Sequence, residues 1–246
     1  MDELKKHPEI VELLDTLDKN NLQKEKGEII SLVDYIGDME KTLSNMLKEM
    51  QGMREEINLI HNSTLRAKCQ NLAQRTEGKI KQVIAIVNKV KDNLVQNAAK
   101  AIRAFKEKGK EALFAAVRAM KIPETFDKLA GLFGKLSKDI EQDVKQIDSL
   151  RSELQSARGH LRNVGRILVG KSAKEEESVR SDRGILAKFG KLLDKIGKGF
   201  HGFSQRALDT ADKLRETRVK ESVKKKLDTL KGLSSGKVKD IPERDR

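Results

Sequence analysis

The residues best suited to catalysis or metal binding are few, and they lie far apart along the chain. Cys69 is the only cysteine, and the four histidines are His7, His61, His160 and His201. One cysteine can form neither an internal disulfide nor a Cys-based metal cluster, and the histidines have no paired ligand spacing. The sequence contains no phosphate-binding loop, dinucleotide fingerprint or local nucleophile–base pair. We therefore expect a protein that is not an enzyme and that uses no cofactor and no small-molecule substrate.

Three arginines form the most unusual charged pattern. Arg158, Arg162 and Arg166 follow one another at four-residue intervals, which places them along one side of a helix. No acidic residue lies three or four positions from any of them, so their mutual repulsion is not relieved within the helix. We expect either the acidic N-terminal section of the chain or an external partner to face them. Guanidinium groups suit phosphate and carboxylate partners.

A second candidate surface lies within residues 185–203. At about 100° per residue, the apolar side chains of this stretch share one face of a helix. The candidate membrane-facing residues are Phe189, Phe200 and Phe203, flanked by Lys188, Lys191, Lys195 and Lys198. A basic amphipathic helix of this kind is typical of proteins that bind a membrane surface. A bundle helix that packs closely through its glycines has the same pattern, and it is the favoured interpretation.

The elements that carry these residues are predicted to be long helices. From Ile29 to Ile60, ten apolar residues alternate at steps of three and four, which is a heptad seam. Such a seam packs against another helix, either within the chain or in a protein partner or second copy. Pro123 begins a further long helix, whose apolar stripe is irregular between Ile140 and Leu150.

The order of segments predicts an all-α protein. The expected segments are an acidic N-terminal helix with the long heptad helix at 1–62, a basic amphipathic helix at 63–122, a long helix at 123–169, a polar linker at 170–184, a C-terminal amphipathic helix at 185–232 and a disordered tail at 233–246. Only 37% of residues are hydrophobic and there is no Trp, which argues against a thick globular core. We expect an elongated bundle of three to four long helices with coiled-coil-like packing.

The net charge of +13 is unevenly distributed. Residues 1–64 carry a net charge of −6, whereas residues 65–122 carry +10. The two sections could neutralise each other within the fold. Alternatively, the basic helix at 79–121 could bind nucleic acid without sequence specificity. The N-terminus does not resemble a secretory signal and no apolar run is long enough to span a membrane, so we expect a cytoplasmic protein.

Three stretches carry a resemblance to a known family. They are Leu32–Glu40, the surroundings of Cys69, and Gly159–Lys171. Together they resemble an uncharacterised helical family encoded on conjugative and other mobile elements of Firmicutes, over most of the chain up to about residue 215. The resemblance implies a bacterial, cytoplasmic setting and an accessory role on a mobile element, and it implies no activity. We therefore expect a non-enzymatic helical scaffold or interaction protein, with nucleic-acid binding through 79–121 and membrane binding through 185–203 as alternatives.

Overall fold

The computed structural model describes residues 4–172 and 184–234, with side chains up to residue 220. All regular secondary structure in these residues is α-helical, which confirms the predicted fold class. Four of the six helices in this part of the chain are long. The helices are α1 (Pro8–Lys19), α2 (Gln23–Asn58), α3 (Ser63–Lys108), α4 (Lys110–Ala119), α5 (Ile122–Leu168) and α6 (Ile185–Ser234).

The helix ends follow from local residue chemistry. Asn21 adopts a left-handed conformation (φ 56°) between α1 and α2. The side chain of Asn62 caps α3 by accepting a hydrogen bond from the backbone N–H of Leu65 at 2.9 Å. Gly109 separates α3 from α4 with a φ of 76°, which glycine adopts without strain. Pro123 lies in the first turn of α5, where its missing N–H costs no helical hydrogen bond.

Ion pairs and hydrogen bonds establish that α6 runs antiparallel to α2 and α5. Along α2, Glu28, Asp38 and Glu56 pair with Arg218, Arg206 and Lys188 in that order. As the residue number rises along α2, the number of the paired residue on α6 falls. The same relation links α5 to α6, because the hydroxyl of Ser204 donates to the carbonyl of Ala130 and that of Ser137 to the carbonyl of Gly197.

Helix α3 is antiparallel to α2 for the same reason. Glu40 pairs with Lys91, and Arg54, further along α2, pairs with Glu77, nearer the start of α3. The four long helices therefore alternate in direction, as in an up-down-up-down bundle. At 1.5 Å per residue, these helices are roughly 54 to 75 Å long, so the bundle is elongated.

The heptad seam of α2 lies inside this bundle. Nine of its ten positions, from Ile29 to Ile57, are 0–7% exposed, and Ile60 is partly buried against the same core. Tyr35, beside the seam, reaches across the bundle to Phe126 and Phe203, with ring centroids 5.2 and 6.2 Å apart. Helices of the same chain therefore fill the seam, which in this fold is not an open surface for a second copy or a protein partner.

Helix α5 has a heptad repeat of its own. Its a positions are Phe126, Phe133, Ile140, Ile147, Leu154, Leu161 and Leu168, each seven residues after the last. The matching d positions are Leu129, Leu136, Asp143, Leu150, Ala157 and Val164. The irregularity predicted between Ile140 and Leu150 is therefore not a change of register. A carboxylate occupies one core position, where Asp143 is 1% exposed and lies 3.1 Å from Lys79 Nζ on α3.

Two predicted segments fall largely outside the described residues. The polar linker predicted at 170–184 includes residues 173–183, and the tail predicted at 233–246 includes residues 235–246. The C-terminal amphipathic helix predicted at 185–232 corresponds to α6.

Candidate functional site

Helix α5 is longer than the part of the bundle that surrounds it. A Cβ built on Gly190 of α6 would lie 3.3 Å from Cγ2 of Ile147, so the two helices are level at these residues. Since α6 begins only five residues before Gly190, it is level with α5 no further than about residue 152. Asn62 and Leu65, at the start of α3, line a shallow groove with Leu154 and Ala157 of α5. Residues 154–168, here called the projecting segment, begin beside the start of α3, and the part beyond Ala157 extends roughly 16 Å past the bundle.

The projecting segment exposes the continuation of the α5 heptad repeat. Leu161 is 74% exposed, Val164 53% and Leu168 81%, whereas Ile140 and Ile147 at equivalent positions are fully buried. Five of the eleven exposed large hydrophobic residues in the described part of the chain lie between 161 and 169. We call the heptad positions of this segment the apolar stripe: Leu154, Ala157, Leu161, Val164 and Leu168. Soluble proteins seldom expose such a continuous apolar surface unless it binds something.

The projecting segment has a well-defined end. Gly170 adopts a φ of 71°, and its N–H donates to the carbonyl of Ile167 at 3.0 Å. The N–H of Lys171 donates to the carbonyl of Arg166 at 2.9 Å. This pair of hydrogen bonds is the Schellman motif, which satisfies the last carbonyls of a helix. The chain therefore encodes a helix up to Leu168.

The three predicted arginines all lie on the projecting segment. Among the described residues, Arg158 and Arg162 make no ion pair, and Arg166 Nε donates to the carbonyl of Ser172 at 3.0 Å. Residues 154–168 contain no Asp or Glu, so this segment carries a net charge of +3. The expectation that the acidic N-terminal section faces these arginines is wrong within the described part of the chain. The last carboxylate of that section, Glu56, pairs with Lys188 of α6.

The acidic residues of α2 pair with the predicted lysines of α6 instead. Lys188 Nζ lies 2.8 Å from Glu56 Oε2, and Lys195 Nζ lies 2.6 Å from Glu49 Oε1. Lys198 pairs within its own helix with Asp194 at 2.6 Å, and Lys191 is exposed. These lysines therefore lie along the edges of the bundle, and two of them hold α6 against α2.

The three phenylalanines assigned to a membrane surface are in the core. Phe189, Phe200 and Phe203 are at most 1% exposed, and the rings of Phe200 and Phe203 lie 5.9 and 5.3 Å from that of Phe133. The glycines of α6 explain this burial, because a Cβ on Gly197 would be 3.3 Å from Cγ2 of Ile140. Close approach of the two backbones carries the aromatic face of α6 into the bundle. The membrane-facing assignment of these residues is therefore wrong.

The one cysteine and the one tyrosine of the chain are both buried. Cys69 is fully buried, and burial raises the pKa of its thiol to about 11, so the thiol stays protonated at neutral pH. Burial also raises the pKa of Tyr35, whose hydroxyl donates to the carbonyl of Phe203 at 2.8 Å. In the part of the chain that the structure describes, no three His, Cys, Asp or Glu side chains are arranged to hold a metal ion. None of the described helices is long and apolar enough to cross a membrane.

The basic stretch at 79–121 is divided between internal pairing and exposed charge. Lys79, Lys91 and Lys106 pair with Asp143, Glu40 and Glu12, at distances between 2.8 and 3.1 Å. The exposed basic residues that make no ion pair within the described residues are Lys89, Lys100, Arg103, Lys108, Lys110 and Lys121. Internal neutralisation therefore accounts for only part of this charge.

The periodicity that predicts the long helix from Pro123 continues through the apolar stripe, but it does not predict that the stripe is exposed. The stripe has the same spacing as the buried half of α5, so its periodicity indicated bundle core. The composition downstream could have corrected this, because residues 170–184 offer only Ala173 and Val179 as apolar partners. The arginines without acidic neighbours in the helix were a second sign that this segment is exposed.

Comparison with known proteins adds a family and no activity. No curated protein and no solved structure matches the chain. A family model, described as a family of unknown function (DUF6674), matches residues 6–246. The chain therefore belongs to the family DUF6674, and its helical bundle with the projecting segment is a structure for that family.

Proposed function

We propose that this protein is a non-enzymatic helical scaffold whose bundle presents the projecting segment of α5 to another macromolecule. The observation that supports this most strongly is the exposure of the apolar stripe, where Leu161 and Leu168 are 74% and 81% exposed. Each of these leucines would contribute about 1.5–3 kcal/mol to a complex that buried it fully. A continuous exposed apolar surface, here at one end of a helical bundle, marks a site of interaction with another macromolecule.

The rest of the fold suits a support for such a site. The bundle core is continuous from α1 to α6, and ion pairs link α2 to α6 at its surface. Cys69, the only thiol, is protonated and buried, which agrees with a structural role for this residue. We further propose that the protein acts in the bacterial cytoplasm, in an accessory role on a mobile element.

The test is affinity purification of the tagged protein from the cells that encode it. The variant Leu161→Ser/Leu168→Ser removes two exposed side chains, so we expect its unfolding midpoint to stay unchanged. We expect macromolecules that copurify with the wild type to be lost with this variant. Val219→Ser, at a side chain 63% exposed on α6, is the matched control and should retain them. Retention of every partner by the double-serine variant would contradict a docking role for this segment.

A second candidate function rests on the exposed basic residues of α3 and α4. Lys100 and Arg103 lie close together on the outer face of α3, and neither makes an ion pair within the described residues. We propose nucleic-acid binding here as the alternative. Binding to a DNA duplex should weaken steeply with salt and fall further in Lys100→Gln/Arg103→Gln. Binding that is absent at low salt would exclude this candidate.

Membrane binding through 185–203 is not carried forward. It would require Phe189, Phe200 and Phe203 to leave the core. There Phe133 contacts Phe200 and Phe203, and Tyr35 contacts Phe203.

A further inference from the structure

We propose that the partner of the projecting segment is an acidic amphipathic helix of another protein, which extends the heptad packing of α5 beyond the bundle. This inference rests on the docking function proposed above and specifies its partner. It is based on the continuity of the α5 repeat and on the charge of the projecting segment.

The apolar stripe continues an interface that already exists in the fold. Ile140 and Ile147 occupy a positions of α5 and are fully buried between neighbouring helices. Leu154, Leu161 and Leu168 follow at the same seven-residue interval, with no insertion that would rotate the stripe to another face. A heptad repeat that keeps its register keeps the same packing geometry. The surface is therefore shaped for another helix packed side by side with α5.

The positive charge of the projecting segment favours a partner helix that carries negative charge. Arg158 directly follows Ala157 and takes the heptad e position, which flanks the seam and contacts the partner helix in coiled coils. Arg162 lies one turn further on at the heptad b position, which does not flank the seam, and it adds to the positive charge of the segment. Both guanidinium groups are without an ion pair among the described residues. Carboxylates of Glu or Asp bind guanidinium groups in a planar, two-bonded arrangement. A partner helix with acidic residues beside its apolar seam fits both features.

Two other occupants fit the segment less well. Residues 173–183 of the same chain contain only Ala173 and Val179 as apolar side chains, too few to cover three large hydrophobic residues of the stripe. A second copy would bring two segments of net charge +3 side by side, and the nearest carboxylate, Glu153, could balance only one of the three arginines in each. Like charges across a helix interface oppose association.

The experiment uses two synthetic peptides of three heptads with identical Leu residues at a and d. One carries Glu and the other Lys at the flanking e and g positions. Binding of each to the full-length protein is measured by fluorescence anisotropy at low salt. We expect the Glu peptide to bind about tenfold more tightly than the Lys peptide, and the difference to shrink as salt is added.

Matched variants locate the binding. Leu161→Ser/Leu168→Ser should weaken binding of the Glu peptide at least about tenfold, since both leucines occupy a positions of the expected contact and are 74% and 81% exposed in the free protein. Arg158→Gln/Arg162→Gln should reduce the preference for Glu over Lys to within about threefold. Lys135→Gln/Lys138→Gln removes the same charge from exposed positions of α5 within the bundle and should leave both affinities unchanged.

Several outcomes would overturn the inference without removing the docking function. They are equal binding of the two peptides, no binding of either, dimerisation of the protein through the same leucines in analytical ultracentrifugation, and leucine-dependent binding to vesicles of 30% phosphatidylglycerol. The docking function itself fails only if the double-serine variant keeps every partner of the wild type in the cell-extract experiment.

Discussion

The two halves of α5 share one heptad repeat and differ in what surrounds them. From Phe126 to Leu150 the repeat is packed between α6, α2 and α3, and Gly190 and Gly197 of α6 let the backbones come close. From Leu154 to Leu168 the side chains at the same heptad positions are largely exposed to solvent. Periodicity therefore identifies the face of a helix that packs. The lengths of the neighbouring helices decide how much of that face is covered within the fold.

The largest expected contrast between the two halves is in unfolding stability. Leu129→Ala, at a d position 2% exposed, should lower the free energy of unfolding by about 2–5 kcal/mol, because it leaves a cavity in the core. Leu161→Ala, at an a position 74% exposed, should change it by less than about 0.5 kcal/mol. Urea unfolding followed by circular dichroism measures both. Equal losses would mean that the projecting segment is packed in the folded protein.

The polar core position of the buried half gives the next contrast. Asp143→Ala leaves Lys79, which is 16% exposed, without its closest carboxylate, and should cost about 3 kcal/mol of unfolding free energy. Glu153→Ala, at an exposed position near the end of the bundle, should have an effect within about 0.5 kcal/mol. The double variant Lys79→Met/Asp143→Leu should regain most of the loss, since it replaces the buried charges by apolar groups. If the double variant is no more stable than Asp143→Ala, the ion pair is not the cause.

The smallest contrast concerns two glycines of α5 that have room for a side chain. A Cβ on Gly131 or on Gly165 meets no atom within 4 Å. Gly131→Ala, in the buried half, should raise the free energy of unfolding by roughly 0.5–1 kcal/mol. Gly165→Ala should leave the unfolding midpoint unchanged and slow amide exchange in residues 155–168 about fivefold, since it stabilises only the local helix. A shift of the midpoint with Gly165→Ala would indicate that the segment unfolds together with the bundle.

Much of the fold follows from local sequence signals. The heptad seam, Pro8, Gly109 and Pro123 place the helices, because periodicity and backbone chemistry act within a few residues. Helix α3 continues through Gly78, since packing of the residues before and after it compensates a cost of about 1 kcal/mol. The all-α class and the elongated form required no tertiary information.

The candidate site could be predicted only in part. The arginines were identified from their spacing, but their distance from the acidic section depends on the register between α5 and α6, which no local signal encodes. Phe189, Phe200 and Phe203 were assigned to the wrong surface, because the face of an amphipathic helix looks the same whether a core or a lipid surface covers it. Contacts between residues far apart in the chain, such as those of Phe200 and Phe203 with Phe133, decide that question in the folded protein.

In the part of the chain that the structure describes, the apolar stripe of α5 is exposed to solvent from Leu161 to Leu168. Hydrogen–deuterium exchange of the free protein, read by mass spectrometry at peptide resolution, tests it most directly. Amides of residues 126–150 should exchange only through unfolding of the bundle, and those of residues 157–168 at least about 100-fold faster, as expected for a helix without tertiary support. Equal protection of both halves in the free protein would contradict the claim.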